Sequence, residues 1–156
     1  MTNNDVLRSL RYLLNISDAR LASLCELADY PVAPSLISAC LLPEDDAGYQ
    51  SCNDALLAHV LEGLVFHKRG KDESRPPMPV AKRLSNNIVL KKLRVAFELR
   101  DDDIQAILQS ADLPMTKAEL GALFRAPGHK HYRECGDQIL RNFLRGLTLR
   151  ERGCAA

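Results

Sequence analysis

Residues 3–11 read NNDVLRSLR and residues 86–94 read NNIVLKKLR. The likeness runs on: a shift of 83 positions aligns residues 3–70 with 86–153 without a gap, and 20 of the 68 pairs are identical. Chance would give roughly one identity in fifteen pairs, so the chain is a tandem duplication. Between the copies lies KDESRPPMPVAKRLS (71–85), three prolines among six charges. Proline favours extended backbone and restricts its neighbour, so this stretch reads as a connector. The domain plan is therefore 1–70, a first helical repeat; 71–85, the connector; and 86–156, a second helical repeat.

Each copy predicts four helices. Val6, Leu7, Leu10 and Leu14 fall on one face of the first, as do Val89, Leu90, Leu93 and Phe97 in the later copy. Asn at a helix start accepts a free backbone N–H, which assigns Asn3, Asn4, Asn86 and Asn87 to capping. The functional alternative has one Asn of each pair lining a pocket with Arg11 or Arg94. The second helix starts at Asp18 or Asp101, where acid meets the positive end of the helix dipole. Pro34 suits the first turn of the third helix, and TKAE (116–119) has capping-box form. The fourth helix is the most apolar. Gly63 and Gly146 sit within it at a cost of about 1 kcal/mol each relative to Ala. A cost accepted twice points to close approach, expected where two fourth helices, or a first and a fourth, cross. The fold class is all-α, two tandem four-helix repeats packed about an approximate twofold axis.

The copies diverge in charge. Residues 1–70 carry net −4 and residues 86–156 net +3. The contrast concentrates before the fourth helix: LPEDDAGYQSCND (42–54) in the first copy, RAPGHKHYRECGD (125–137) in the second. Arg125, His129, Lys130, His131 and Arg133 should form an accessible positive surface beside a helix N-terminus, suited to an anion. Histidine changes charge near neutrality, so binding there should tighten as pH falls from about 7.5 to 6.

His129, His131 and Cys135 have spacing compatible with three zinc ligands, and a Cys near His can be a nucleophile. The first copy, however, keeps Cys52 and Asp54 but has Asp46 and Gly48 where the histidines would be. A small buried thiol and a helix cap explain the retained pair. Arg141 and Arg145 stand one turn apart, followed by Arg150 and Arg152, and with Lys91, Lys92, Arg94 and Arg133 would make a basic patch for nucleic acid. Against this stand a near-neutral chain of net charge +1 and an aromatic content of 5%, short of the stacking platforms of single-strand binders.

No apolar run approaches the ~20 residues that span a bilayer. Asp5 stands where a signal peptide would want positive charge. The five cysteines form no CxxC and read as reduced, mostly buried thiols of a cytoplasmic protein. NNIVLKKLRVAF, FRAPGHKHYRECGDQILRNFLRGL and FHKRGKDES together resemble the YehS-like family of short bacterial proteins. The resemblance covers essentially the whole chain. It implies a bacterial cytoplasmic protein with a duplicated domain of unknown function, and it supplies no activity, cofactor or catalytic residue.

These observations lead to a non-enzymatic binding or regulatory protein, with no cofactor, no membrane partner and homodimerisation possible. It would recognise a protein or small anionic ligand through the inter-repeat cleft and the basic loop 125–135. A nucleic-acid-binding module using the second repeat is the alternative. A metal- or thiol-dependent enzyme at His129, His131 and Cys135 is the third reading.

Overall fold

The computed structural model describes residues 1–74 and 80–153. Among these, eight helices and no strand are found. The first repeat comprises α1 (Asn3–Leu14), α2 (Asp18–Leu27), α3 (Pro34–Leu41) and α4 (Asp54–Arg69). The second comprises α5 (Asn86–Ala96), α6 (Asp101–Ser110), α7 (Lys117–Leu123) and α8 (Asp137–Arg152). The chain divides into two compact units between Leu84 and Ser85. The connector's described residues thus belong with the first unit up to Leu84, and Ser85 with the second. Lys71 donates to the Leu27 carbonyl, and the Leu84 N–H donates to Asp54 at 3.0 Å. Residues 75–79 of the connector, and Cys154, lie outside the described residues.

Local chemistry sets the helix starts. Thr2 caps α1 in a reciprocal box with Asp5, Ser17 caps α2, and Asn53 caps α4. Ser85 caps α5, and Thr116 with Glu119 forms the expected box on α7. Pro34 opens α3 as expected. At α6 the Arg100 N–H donates to Asp103 at 2.8 Å. Asn3 and Asn4, like Asn86 and Asn87, are thus not caps but the first two helical residues, displaced from that role by Thr2 and Ser85. Gly70 and Gly153 end α4 and α8 at φ 87° and 84°, a region open to glycine. Asp29 and Asp112, identical in the two copies, end α2 and α6 in the left-handed region, which short polar side chains tolerate.

In each unit the second and fourth helices form the main packing layer, α2 on α4 and α6 on α8. Leu7, Leu10, Leu21, Ile37, Leu57 and Leu61 fill the first core. Leu90, Leu93, Ile104, Leu108 and Phe143 fill the second. Each such side chain contributes about 1.5–3 kcal/mol by leaving water. The helix glycines mark this layer rather than the crossing expected from sequence. A Cβ on Gly63 would fall on the carbonyl group of Leu24 in α2, and one on Gly146 on that of Ile107 in α6. Leu144 is 2% exposed. Leu144→Ala should therefore destabilise the protein by about 2–5 kcal/mol, read from a urea unfolding curve. A change within about 0.5 kcal/mol, as for a surface site, would contradict this packing.

Candidate functional site

The segment 125–136 links α7 to α8, and its backbone is held from below. Asn87, buried at the start of α5, donates from Nδ2 to the Leu123 and Arg133 carbonyls at 2.9 Å each. Its Oδ1 accepts the Cys135 N–H at 2.9 Å. Asn4 does the same in the first unit, with Cys40, Gln50 and Cys52 as partners at 2.9–3.0 Å. One amide thus satisfies three main-chain groups, which fits a site where unpaired buried polar atoms are costly. Asn3 and Asn86 complete the clasp, bonding the Cys52 or Cys135 carbonyl and the carboxylate of Asp54 or Asp137. Hydrogen bonds from Asn3 and then the Leu84 N–H hold the Asp54 carboxyl below its usual range.

The asparagines are held by main-chain and carboxylate partners, and the arginine of each first helix pairs with an acid. Arg11 pairs with Asp18 at 3.0 Å, and Arg94 with Asp101 at 2.9 Å, each tying the first helix of its unit to the second. The Arg94 guanidinium also covers the Phe124 ring at 4.6 Å.

Above this clasp, Arg125, His129, Lys130, His131 and Arg133 are all exposed. The His129 and His131 rings lie 5.6 Å apart, and His129 Nδ1 accepts the His131 N–H at 3.0 Å. Arg133 reaches Glu119 at 3.8 Å, both side chains half exposed, a pairing worth about 1 kcal/mol or less. The loop ends at the first turn of α8. There Gly136 supplies no side-chain cap, whereas Asn53 occupies the Leu56 N–H at the matching point of α4. Glu134 and Asp137 are exposed nearby and temper the positive charge.

The histidines and Cys135 do not converge. Cys135 is buried, its thiol donating to the Gly136 carbonyl at 3.6 Å. Burial pushes its pKa up to about 11, and that of the equivalent Cys52 to about 12. Both are therefore protonated at neutral pH and poor nucleophiles. Among the described residues no group of three or more His, Cys, Asp or Glu is placed to hold a metal ion. Nor is any helix among them long and apolar enough to cross a membrane.

The basic face of α8 is divided. Arg141 is exposed. Arg145 instead donates to the Ala111 carbonyl at 2.7 Å, beside Asn142 at 3.0 Å, and together they terminate α6. Arg150 pairs with Asp103 at 3.4 Å. Nothing in the helical periodicity marks the role of Asn142 and Arg145, because their acceptor lies 31 and 34 residues upstream. A cavity between α2 and α4, bordered by Arg20, His67 and Lys68, likewise has no sequence motif.

Comparison with known proteins locates the same duplication. Residues 3–70 and 86–153 each match the family described as "Protein of unknown function (DUF1456)". The chain is similar to the uncharacterized protein YehS of Escherichia coli (strain K12), 47% identical over 151 residues that cover 97% of each chain. No solved structure matches. With both repeats matched and a relative this close over nearly the whole length, the chain belongs to the DUF1456 family.

Proposed function

We propose that this is a non-enzymatic binding protein that takes a small anion, or an acidic segment of a protein partner, on the basic loop 125–133. The observation carrying this reading is an Asn87-pinned backbone that bears five exposed basic or titratable side chains and leads into an α8 start with no side-chain cap. A fixed backbone lowers the ordering cost of binding, and a helix start favours negative charge. The thiols, protonated and buried, offer no competing chemistry. Their reduced state suits a bacterial cytoplasm. The nucleic-acid reading would draw on Arg94, Arg145 and Arg150, which are already engaged with Asp101, Ala111 and Asp103. The loop is the better supported surface.

The test is a titration with a fluorescein-labelled oligo-glutamate peptide and, separately, with duplex DNA. Peptide binding should weaken at least about tenfold in a Lys130→Glu/Arg133→Glu variant, by the loss of two attractive charges. His129→Gln/His131→Gln should flatten its dependence on pH between about 6 and 7.5. DNA binding with a log–log salt slope of about 0.9 per phosphate, lost on charge reversal at Arg141, would decide for nucleic acid instead. No peptide binding at low salt would remove the proposal.

A further inference from the structure

The two units build the same groove in two ways. In the second unit the groove between α6 and α8 encloses about 330 Å³. Asp103 and Arg150 pair beside it at 3.4 Å. Ser110, on its wall, turns its hydroxyl back to the Ile107 carbonyl at 2.6 Å. Leu99, at the turn into α6, is only 5% exposed.

In the first unit each of these features is changed. Arg20 stands at the position of Asp103, and His67 at that of Arg150. The ion pair is replaced by one guanidinium and one imidazole, which have no attraction for each other as ions. Leu27, in place of Ser110, is 38% exposed on the cavity wall, and Ile16, in place of Leu99, is half-buried. The cavity grows to about 630 Å³, within the ~300–1,000 Å³ range of small-molecule sites. Leu14, Leu24 and Leu64 complete an apolar surface, with Lys68 on the border next to His67. Among the described residues of the lining, Glu26 is the acid.

We propose that this cavity binds a small free amphiphilic anion, an aliphatic carboxylate whose chain lies on Leu14, Leu24, Leu27 and Leu64. Its head group lies between Arg20 and His67, supplying the negative partner that Asp103 provides in the other unit. The site lies wholly within the first repeat and stands apart from the loop reading above.

The test titrates the full-length protein with decanoate, followed by calorimetry and by backbone amide NMR shifts. Saturable binding is expected, with shifts confined to residues 14–27 and 64–68. The double variant Arg20→Asp/His67→Arg rebuilds the ion pair of the second unit and should weaken binding at least about tenfold while circular dichroism stays unchanged. Leu27→Ser, at an exposed position, should weaken it several-fold without touching charge. Lys130→Glu/Arg133→Glu should leave it unchanged, which separates this site from the basic loop. The proposal is overturned if decylamine binds as well as decanoate, if the shifts map elsewhere, or if the folded double variant binds as the parent does. Attachment to phosphatidylglycerol vesicles without binding of free decanoate would overturn it as well.

Discussion

Gly146→Ala is expected to destabilise the second unit by more than about 3 kcal/mol, although alanine is the better helix former by about 1 kcal/mol. The sign follows from what the new methyl group meets. It lands on the Ile107 carbonyl, a main-chain group that has no rotamer to change, so α6 and α8 must separate. Separation opens the core around Phe143 and Leu147, both fully buried, and the cost of lost packing joins the cost of the clash. Gly63→Ala should do the same to the first unit, where the Leu24 carbonyl is the obstacle. Hydrogen exchange at the core amides of each helix pair measures the effect unit by unit, which matters because two units need not unfold in one step. A neutral or stabilising result would mean that the helices stand farther apart than the structure has them.

Asn87→Ala should cost about 3 kcal/mol or more, because three backbone groups lose their partner at once. Each unpaired buried polar group costs about 1–3 kcal/mol, and the Leu123 carbonyl and the Cys135 N–H are both bonded to it within the interior. The sharper variant is Asn87→Asp. It keeps size and shape and retains the acceptor for Cys135, but it removes both donors and sets a carboxylate against two carbonyl oxygens. It should be at least as damaging as the alanine change. Thermal unfolding measures the loss, and faster amide exchange in loop 125–133 should accompany it. An Asp variant as stable as the parent would show that the amide fills space rather than bonds. Asn4→Asp should act likewise on the loop that ends at Cys52.

These two sites also show what could be read from the residues alone. Helices, their order and the duplication were legible because they depend on short-range patterns: apolar spacing, Pro34, the Thr116–Glu119 box. Gly63 and Gly146 were recognisable as points of close approach, yet periodicity names a face and not the neighbour that covers it. The crossing therefore lay with α2 and α6, not with a first or another fourth helix. Asn3 and Asn86 misled a local rule. Capping propensity could not choose between them and Thr2 or Ser85 just upstream, while their actual partners lie 49 and 51 residues away. Of the candidate site, the exposure of Arg125, His129, Lys130, His131 and Arg133 followed directly from charge in a connecting loop. The engagement of Arg11, Arg94 and Arg145 did not, since each partner is brought up by the fold. The groove of the first unit became visible only once α2 was known to pack on α4, which sets Arg20 and His67 beside the same space.

The asparagine clasp has a consequence for how the chain assembles. All three partners of Asn87 are main-chain groups, and the first repeat presents the same three to Asn4. The clasp therefore cannot tell its own loop from the other one. Distance along the chain does not discriminate either: Asn87 lies 48 residues from Cys135 but 35 from Cys52, a difference of about 0.3 kcal/mol in loop closure, and in favour of the wrong pairing. Time resolves the ambiguity. Synthesis runs from the N-terminus at about 5–20 residues per second, so the first repeat is complete several seconds before α8 emerges. That interval lets Asn4 fill the earlier socket first. Refolding from denaturant removes that head start, and swapped pairings are then the characteristic error of a duplicated chain.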